Sequence, residues 1–186
     1  MVEIRHLTLT ELETGLDDIR RSPSDAGVLR LIVRRPQIGE REVLTVGEID
    51  LVDGLLGDDW SKIGCPLTPD GSPNPDMQLT LMNSRVIALL AQTEERWSLA
   101  GDQLYVDFDL SVDNLPPGTR LQVGSAAVIE VTSVPHTGCK DFAARFGTDA
   151  TKFVNSPEGK RLHLRGINAR VIQPGAIRPG DIVKKV

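Results

Sequence analysis

The chain has little cysteine and no long apolar run, and these shortages exclude several classes of protein. Only Cys65 and Cys139 occur among its 186 residues, which is too few for a disulfide-stapled scaffold and fits a reducing compartment. No stretch approaches the roughly 20 apolar residues that a membrane-spanning helix needs. The first residues, MVEIRHLTLTELE, carry charges where a signal peptide has its apolar segment. We therefore expect a cytoplasmic protein with no membrane partner.

Positive charge and histidine are also scarce. The formal net charge is −5, which does not favour non-specific binding to nucleic acid, although it leaves room for a local basic pocket. The three histidines are His6, His136 and His163, and no pair among them and the two cysteines has zinc-ligand spacing. We therefore expect no nucleic-acid partner and no structural zinc site.

Glycine and proline divide the chain into many short segments. Apolar patterning predicts strands at residues 28–33, 42–46, 104–110, 120–123, 127–134, 167–173 and 182–186. It predicts helices at residues 8–22, 84–91, 140–146 and 149–154, the first with a capping box from Thr10 to Glu13 and the second capped by Asn83 or Ser84. Short strands with peripheral helices and no regular strand–helix rhythm indicate a mainly β protein, built as a barrel or a folded sheet.

Length and composition predict a single domain over residues 1–186. Apolar residues make up 40% of the chain and charged residues 25%, as in ordinary globular proteins. Residues 1–40 are interpreted as an N-terminal elaboration made of a helix and a strand. The proline-rich residues 61–78 are interpreted as an irregular loop, either a lid or an insertion. Further loops or turns are predicted at residues 155–159 and 174–175.

An acidic pair, Asp58 and Asp59, follows a segment with two glycines. These carboxylates could ligate a cation or face water, and the prediction is an ordinary glycine turn with solvated carboxylates. Cys65, which lies beside Pro66 in the irregular loop, has no histidine nearby that would make it a metal ligand. We assign it no chemical role.

A thiol beside basic residues makes residues 133–170 the candidate site. A strand-like run ends at Pro135 and opens into HTGCK, which carries His136, Cys139 and Lys140. Nearby cations favour the thiolate, the form that acts as nucleophile or metal ligand, and Gly138 permits close approach of a ligand to the backbone. The alternative is a buried, chemically inert cysteine.

One thiolate with surrounding donors suits a soft or high-valent metal whose other ligands belong to a cofactor. A papain-like reaction, with His136 as the base for Cys139, stays open as an alternative.

A second group of polar residues follows about thirty positions later. Arg165 precedes Gly166 at a strand start, a suitable place for a bidentate phosphate contact. Within the predicted strand, Asn168 and Arg170 share one face, while Ile167 and its alternating apolar neighbours face the other side. A solvated strand face is the alternative interpretation.

The ordered set of these segments resembles the MOSC domain, the C-terminal domain of molybdenum cofactor sulfurases and its stand-alone bacterial relatives. The resemblance covers residues 40–186. It rests on GLLGD at residues 54–58, GDQLYV at 101–106, RLQVG at 120–124 followed by residues 127–132, Cys139, RGINARV at 165–171, Gly175 and the pair Gly180-Asp181. The chain departs from the family where Asp59 stands in place of an arginine, and where a proline loop and residues 78–84 replace a histidine–glycine stretch.

The resemblance implies a barrel-like β fold and a cysteine that binds molybdenum or handles sulfur. The first hypothesis is a subunit that binds molybdenum cofactor and reduces N-hydroxylated small molecules. Cys139 would ligate the metal, and His136, Lys140, Arg165, Asn168 and Arg170 would surround the cofactor. Because the chain contains no flavin or iron–sulfur motif, an electron-donor reductase would be its partner.

Two other hypotheses come from different classes. One is a sulfur carrier, in which Cys139 receives a persulfide from a partner cysteine desulfurase. The other is a non-catalytic binding domain that lost the cofactor, for which the two departures from the family pattern are the basis.

Overall fold

The computed structural model describes residues 5–66 and 68–186. Its α-helices are α1 (Leu9–Glu13), α2 (Leu16–Arg20), α3 (Ser84–Ala91), α4 (Lys140–Phe146), α5 (Thr148–Asn155) and α6 (Pro157–Arg161). Its strands are β1 (Ala26–Arg34), β2 (Glu42–Leu44), β3 (Gly47–Asp50), β4 (Gly54–Leu55), β5 (Leu79–Asn83), β6 (Leu104–Asp107), β7 (Arg120–Val123), β8 (Ala127–Val131), β9 (Ile167–Gln173), β10 (Gly175–Ile177) and β11 (Ile182–Lys185). Short 3-10 helices lie at Trp60–Lys62, Pro75–Met77 and Glu94–Ala100.

Seven strands close into a β-barrel, which confirms the predicted mainly β fold. The strand order is β11, β7, β8, β9, β5, β6 and β1, and β1 pairs back to β11. The pairs are antiparallel except β5 with β6, which run parallel. The long β1 also pairs with β2, and β10, β3 and β4 form a separate small sheet. Closure removes exposed strand edges from the barrel.

Two apolar cores lie on opposite sides of the barrel wall. Along β6, Leu104 and Val106 face the barrel interior, whereas Tyr105 faces a second core beneath the helices. This alternation follows from the two-residue period of a strand. The second core contains Phe142 and Phe146 of α4, whose rings lie 5.0 Å apart. The helices are therefore fixed against the outside of the barrel, next to the candidate site.

The helix predicted over residues 8–22 is two helices instead. The interruption falls at Thr14 and Gly15, before α2 starts. The capping box lies two residues earlier than predicted, since Thr8 accepts from the backbone of Glu11 and the Glu11 side chain accepts from Thr8. Both pairs have the same sequence spacing, and the earlier one marks the true helix start.

Three further predictions of local structure were wrong or incomplete. The predicted loop at residues 155–159 contains the start of α6, because Ser156 caps the helix and Pro157 occupies its first turn. The predicted turn at residues 174–175 leads directly into β10. Strand β5 was not predicted, because all five of its residues are buried and the pattern lacks alternation.

Residues 61–66 and 68–78 are irregular apart from the 3-10 helices at Trp60–Lys62 and Pro75–Met77. Asp58 and Asp59, predicted to face water, are instead 3% and 6% exposed. Asp58 accepts from Arg35 through both carboxylate oxygens, at 2.7 Å and 3.0 Å. The Arg35 guanidinium therefore occupies the place beside Asp58 that a bound metal cation or solvent would otherwise take. Within the described ranges, no helix is long and apolar enough to cross a membrane.

Candidate functional site

A pocket of about 560 Å³ opens where the end of β8 and the following loop face the start of β9 and helices α5 and α6. Its lining residues are Val112, Pro117, Val131, Thr132, Ser133, Val134, Pro135, His136, Thr137, Val154, Gly159, Lys160, His163, Arg165, Gly166, Ile167 and Asn168. Three of the six predicted site residues, His136, Arg165 and Asn168, are among them. The barrel thus brings together two segments that the sequence separates by about thirty positions.

Behind the pocket wall, a buried carboxylate joins two of these residues. Asp102 is fully buried at the start of β6, and it accepts a 2.7 Å hydrogen bond from the Nη1 of Arg165. Its other oxygen lies 3.0 Å from the Nε2 of His136, but the two atoms are misaligned for a linear hydrogen bond. Asp102 therefore fixes Arg165 by hydrogen bonding and lies in close polar contact with His136.

Arg165 is held on three sides while one of its donors stays unused. Its Nη2 donates to the carbonyl of Ala100 at 3.0 Å, and its guanidinium lies 4.9 Å from the ring centre of Phe142. Its buried Nε has no hydrogen-bond partner among the described residues. Since buried donors are nearly always paired, this Nε is a candidate contact for a ligand.

Asn168, in β9, also has one buried polar atom without a hydrogen-bond partner among the described residues. Its side chain is fully buried, and its Nδ2 donates to the carbonyl of Val134 at 3.0 Å. Its Oδ1 is buried without a partner in the part of the chain that the structure describes. Two residues of the pocket lining thus each keep one buried polar atom without a partner among the described residues, an acceptor on Asn168 and a donor on Arg165.

The pocket is basic although the chain as a whole is acidic. Lys160 of α6 and His163 join His136 and Arg165 in the lining, and none of the described lining residues is an aspartate or glutamate. The Nδ1 of His163 lies 2.7 Å from the carbonyl of Leu110. Such a lining attracts an anionic ligand.

Burial controls the protonation of His136 and Asp102. Burial and the Arg165 guanidinium lower the pKa of His136 below its ordinary value, and the nearby Asp102 opposes this only in part. Burial alone would raise the pKa of Asp102, but Arg165 and His136 outweigh it and hold that pKa below its ordinary value. Near neutral pH, His136 is therefore neutral and Asp102 is ionised.

We expect the free energy of unfolding to fall as the pH drops below about 6.5, the ordinary pKa of histidine. The unfolded chain takes up a proton on His136 in that range while the folded chain does not, so protonation favours unfolding. The slope from this group is at most about 1.4 kcal/mol per pH unit. Urea unfolding between about pH 7 and about pH 5 measures it.

His136→Gln should remove this part of the slope, and His163→Gln is the matched control. The carboxyl groups of Glu11 and Glu158, whose pKa is lowered to about 2, lose their charge at more acidic pH and do not contribute to this window. An unchanged slope in His136→Gln would contradict the assignment.

Cys139 is exposed and precedes the first residue of α4. Neither Cys139 nor Lys140 belongs to the pocket lining formed by the described residues, but Thr137, two positions before Cys139, does. The thiol is thus carried at the end of the loop that forms one wall of the pocket. The proposed inert, buried cysteine is not what the structure contains.

Arg170 lies away from the pocket. The face assignment along β9 is confirmed, since Ile167 and its alternating apolar neighbours belong to the barrel core. The exposed Arg170 donates to Glu130 at 2.6 Å and lies 3.6 Å from Asp76. Cofactor binding by Arg170 stays a prediction. A cofactor would have to replace two carboxylates, those of Glu130 and Asp76, as the partners of its guanidinium.

Sequence reasoning missed Asp102 and Lys160 as members of this site. Asp102 was recognised only as part of a family segment, and its partners His136 and Arg165 lie next to other strands of the barrel, β8 and β9. Lys160 lies on a helix that was predicted to be partly loop. The sequence Ser156-Pro157-Glu158 does mark the start of this helix, because Ser156 is a capping residue and Pro157 occupies the first helical position.

No three His, Cys, Asp or Glu side chains are arranged to hold a metal ion within residues 5–66 and 68–186.

The family model of the MOSC domain matches residues 74–184, which include every residue of the pocket lining. The chain therefore belongs to the MOSC domain family. No curated protein sequence matches it significantly.

Solved structures share the fold at low sequence identity. The YUAD protein from Bacillus subtilis is similar with a TM-score of 0.61 and 16% identity, over 86% of this chain and 95% of that one. YiiM from Escherichia coli is similar with a TM-score of 0.53 and 18% identity, over 86% and 69% of the two chains. YiiM from Geobacillus stearothermophilus gives 0.52 and 16%, over 86% and 73%.

Proposed function

We propose that this protein binds molybdenum cofactor in the basic pocket, with Cys139 as the ligand that the chain supplies to the metal. The protein would serve as the cofactor-binding component of a reductase for N-hydroxylated compounds, with a separate electron donor. The observation that carries the proposal is the pocket itself. It gathers four basic side chains, no carboxylate and two unused polar atoms beside the loop that leads to an exposed thiol.

The lining suits the chemical groups of this cofactor. A phosphate would be balanced mainly by Lys160, because the charge of Arg165 is already paired with the buried Asp102 carboxylate. A pterin ring has both donors and acceptors, and the Arg165 Nε and Asn168 Oδ1 provide one of each. Apolar side chains such as Val134 and Ile167 would cover the ring faces and exclude water.

Each chain residue would have a simple task. The Cys139 thiolate would hold the metal, which, when bound, supplies the centre that takes up the oxygen of an N–O bond. His136, neutral near pH 7 because of its lowered pKa, would add no positive charge beside the thiolate. Asp102 would keep Arg165 aimed into the pocket. Lys140 stays a predicted contact outside the pocket lining.

Lys160→Gln tests the pocket without disturbing the core, because the Lys160 side chain is exposed at the pocket rim. We expect this variant to retain about tenfold less pterin than wild type after dialysis at moderate salt, as loss of a phosphate contact predicts. Release of the oxidised, fluorescent pterin from the denatured protein measures retention.

Lys184→Gln is the matched control, because Lys184 is an exposed lysine of β11 that does not line the pocket formed by the described residues. Equal pterin loss in both variants would reflect a general loss of positive charge and would contradict a specific contact at Lys160. Arg170→Gln tests the predicted contact on β9. Full retention in Lys160→Gln, with loss in Arg170→Gln, would contradict the proposed pocket and favour the face of β9.

The exposure of Cys139 favours a second candidate, a sulfur carrier. The Cys139 thiolate would attack the terminal sulfur of a desulfurase persulfide, forming a new S–S bond and releasing the desulfurase thiolate. Incubation with a desulfurase and free cysteine should then add one sulfur atom to Cys139 by mass spectrometry. A protein without cofactor and without this added sulfur would fit the third hypothesis, a binding domain that lost the chemistry.

A further inference from the structure

The side chain of Asn155 binds both polar groups of the Gly138 backbone. The Gly138 N–H donates to the Oδ1 of Asn155 at 2.9 Å, and the Nδ2 of Asn155 donates to the Gly138 carbonyl at 3.1 Å. One amide side chain thus pairs with the backbone in the way that a neighbouring strand would. The residue so held is the one immediately before Cys139.

Packing reinforces this pair of hydrogen bonds. A Cβ added to Gly138 would lie 3.1 Å from the Cγ2 of Val154 and 3.3 Å from the Cγ2 of Thr151 and from the Nδ2 of Asn155. Glycine therefore lets the backbone lie directly against α5, at a distance that any side chain would increase. The helix itself is fixed, because Phe153 and Val154 are buried in the core beneath the helices.

The loop between β8 and α4 is anchored by a second asparagine at its other end. Asn168 donates to the carbonyl of Val134, and Asn155 holds Gly138. The stretch between these two points carries His136 and Thr137 into the pocket wall. The direction in which the chain leaves Gly138 then determines where the thiol of Cys139 stands.

We infer that Asn155 is a positioning residue for the Cys139 thiol, acting through the backbone of Gly138. For metal binding the inference rests on the proposed function, whereas for the placement of the thiol it does not. Residues that orient a metal ligand typically change metal affinity about 10- to 100-fold when they are replaced. Asn155 combines two hydrogen bonds in one side chain, so its loss frees both peptide units that meet at the Gly138 Cα.

The test uses Asn155→Ala and Asn155→Asp in a Cys65→Ser background, so that Cys139 is the one thiol. The aspartate keeps an acceptor for the Gly138 N–H but loses the donor to its carbonyl, and it should give an intermediate effect. Asn114→Ala is the matched control, because the Asn114 side chain also donates to two backbone carbonyls, of Ser24 and Asp109, accepts from Lys185, and does not line the pocket formed by the described residues.

Two readouts are measured: molybdenum per chain, on protein from a host that makes the cofactor, and the rate of Cys139 alkylation by iodoacetamide across a range of pH, on protein from a host that does not make it, so that no bound metal shields the thiol. We expect Asn155→Ala to lower molybdenum about tenfold and to shift the rate profile, while Asn114→Ala changes neither despite a similar loss of hydrogen bonds. If Asn155→Ala is insoluble, the same two readouts on Asn155→Asp decide whether Asn155 positions the thiol.

The outcomes separate this inference from the proposed function. Wild type without molybdenum, together with an altered alkylation profile in the Asn155 variants, would defeat the cofactor proposal and support the positioning role. Loaded wild type, with unchanged metal content and alkylation in the Asn155 variants, would overturn the positioning role alone. Equal changes in Asn114→Ala would also overturn it, because they would reflect general destabilisation.

Discussion

Alanine in place of Asp102 is expected to lower the free energy of unfolding by about 3–5 kcal/mol. The Asp102 carboxylate is fully buried, and its partner Arg165 has a side chain that is only 7% exposed. Removing the carboxylate leaves a guanidinium in the core with no balancing charge, and that uncompensated charge is what makes the loss large. Urea unfolding followed by tryptophan fluorescence measures the difference.

Asp113→Ala is the control for this prediction. Asp113 also pairs with an arginine, Arg161, at 3.0 Å, but its side chain is 76% exposed. Exposed pairs contribute little, so this variant should unfold close to wild type. The double variant Asp102→Ala/Arg165→Leu should recover part of the lost free energy of unfolding, because it also removes the unpaired charge of the Arg165 guanidinium. Similar midpoints for Asp102→Ala and Asp113→Ala would mean that Asp102 does not hold a buried pair.

The fold was predictable where one face of an element is polar or where a turn residue marks its end. The alternation over residues 104–110 predicted a barrel strand, and Leu104 and Val106 indeed face the barrel core. Asn83 was recognised as a helix cap and caps α3. Strand β5 escaped prediction because both of its faces are covered, so its sequence shows no period.

The site was predictable in part, because it is built from strand ends. His136 follows β8 and Arg165 precedes β9, and the antiparallel pairing of these two strands brings both residues to the same pocket. Asp102 is different: it precedes β6, while its partners flank β8 and β9 beyond the intervening β5, and nothing local in the sequence points to them. Asn155 looked like a loop residue, and only its hydrogen bonds to Gly138 reveal its role.

Alanine in place of Cys139 is expected to abolish molybdenum binding almost completely. The described part of the chain contains no cluster of three metal-ligating side chains, so no other group is placed to substitute for this thiolate. Cys139 is exposed, and its removal should leave the barrel core and the unfolding midpoint intact. Loss of metal would therefore reflect loss of a ligand rather than of the fold.

Cys65→Ala is the control, since Cys65 lies in the irregular loop after the acidic segment and does not line the pocket formed by the described residues. It should retain the metal content of wild type. Loss of metal in Cys65→Ala at an unchanged unfolding midpoint would mean that the wrong cysteine has been assigned.

The most direct measurement is elemental analysis of molybdenum per chain in wild type, Cys139→Ala and Cys65→Ala, all purified from a host that makes the cofactor. Molybdenum close to one atom per chain in wild type and Cys65→Ala, with almost none in Cys139→Ala, is the predicted result. No molybdenum in any of the three, or the same amount in all of them, would contradict the assignment of Cys139 as the metal ligand of this protein.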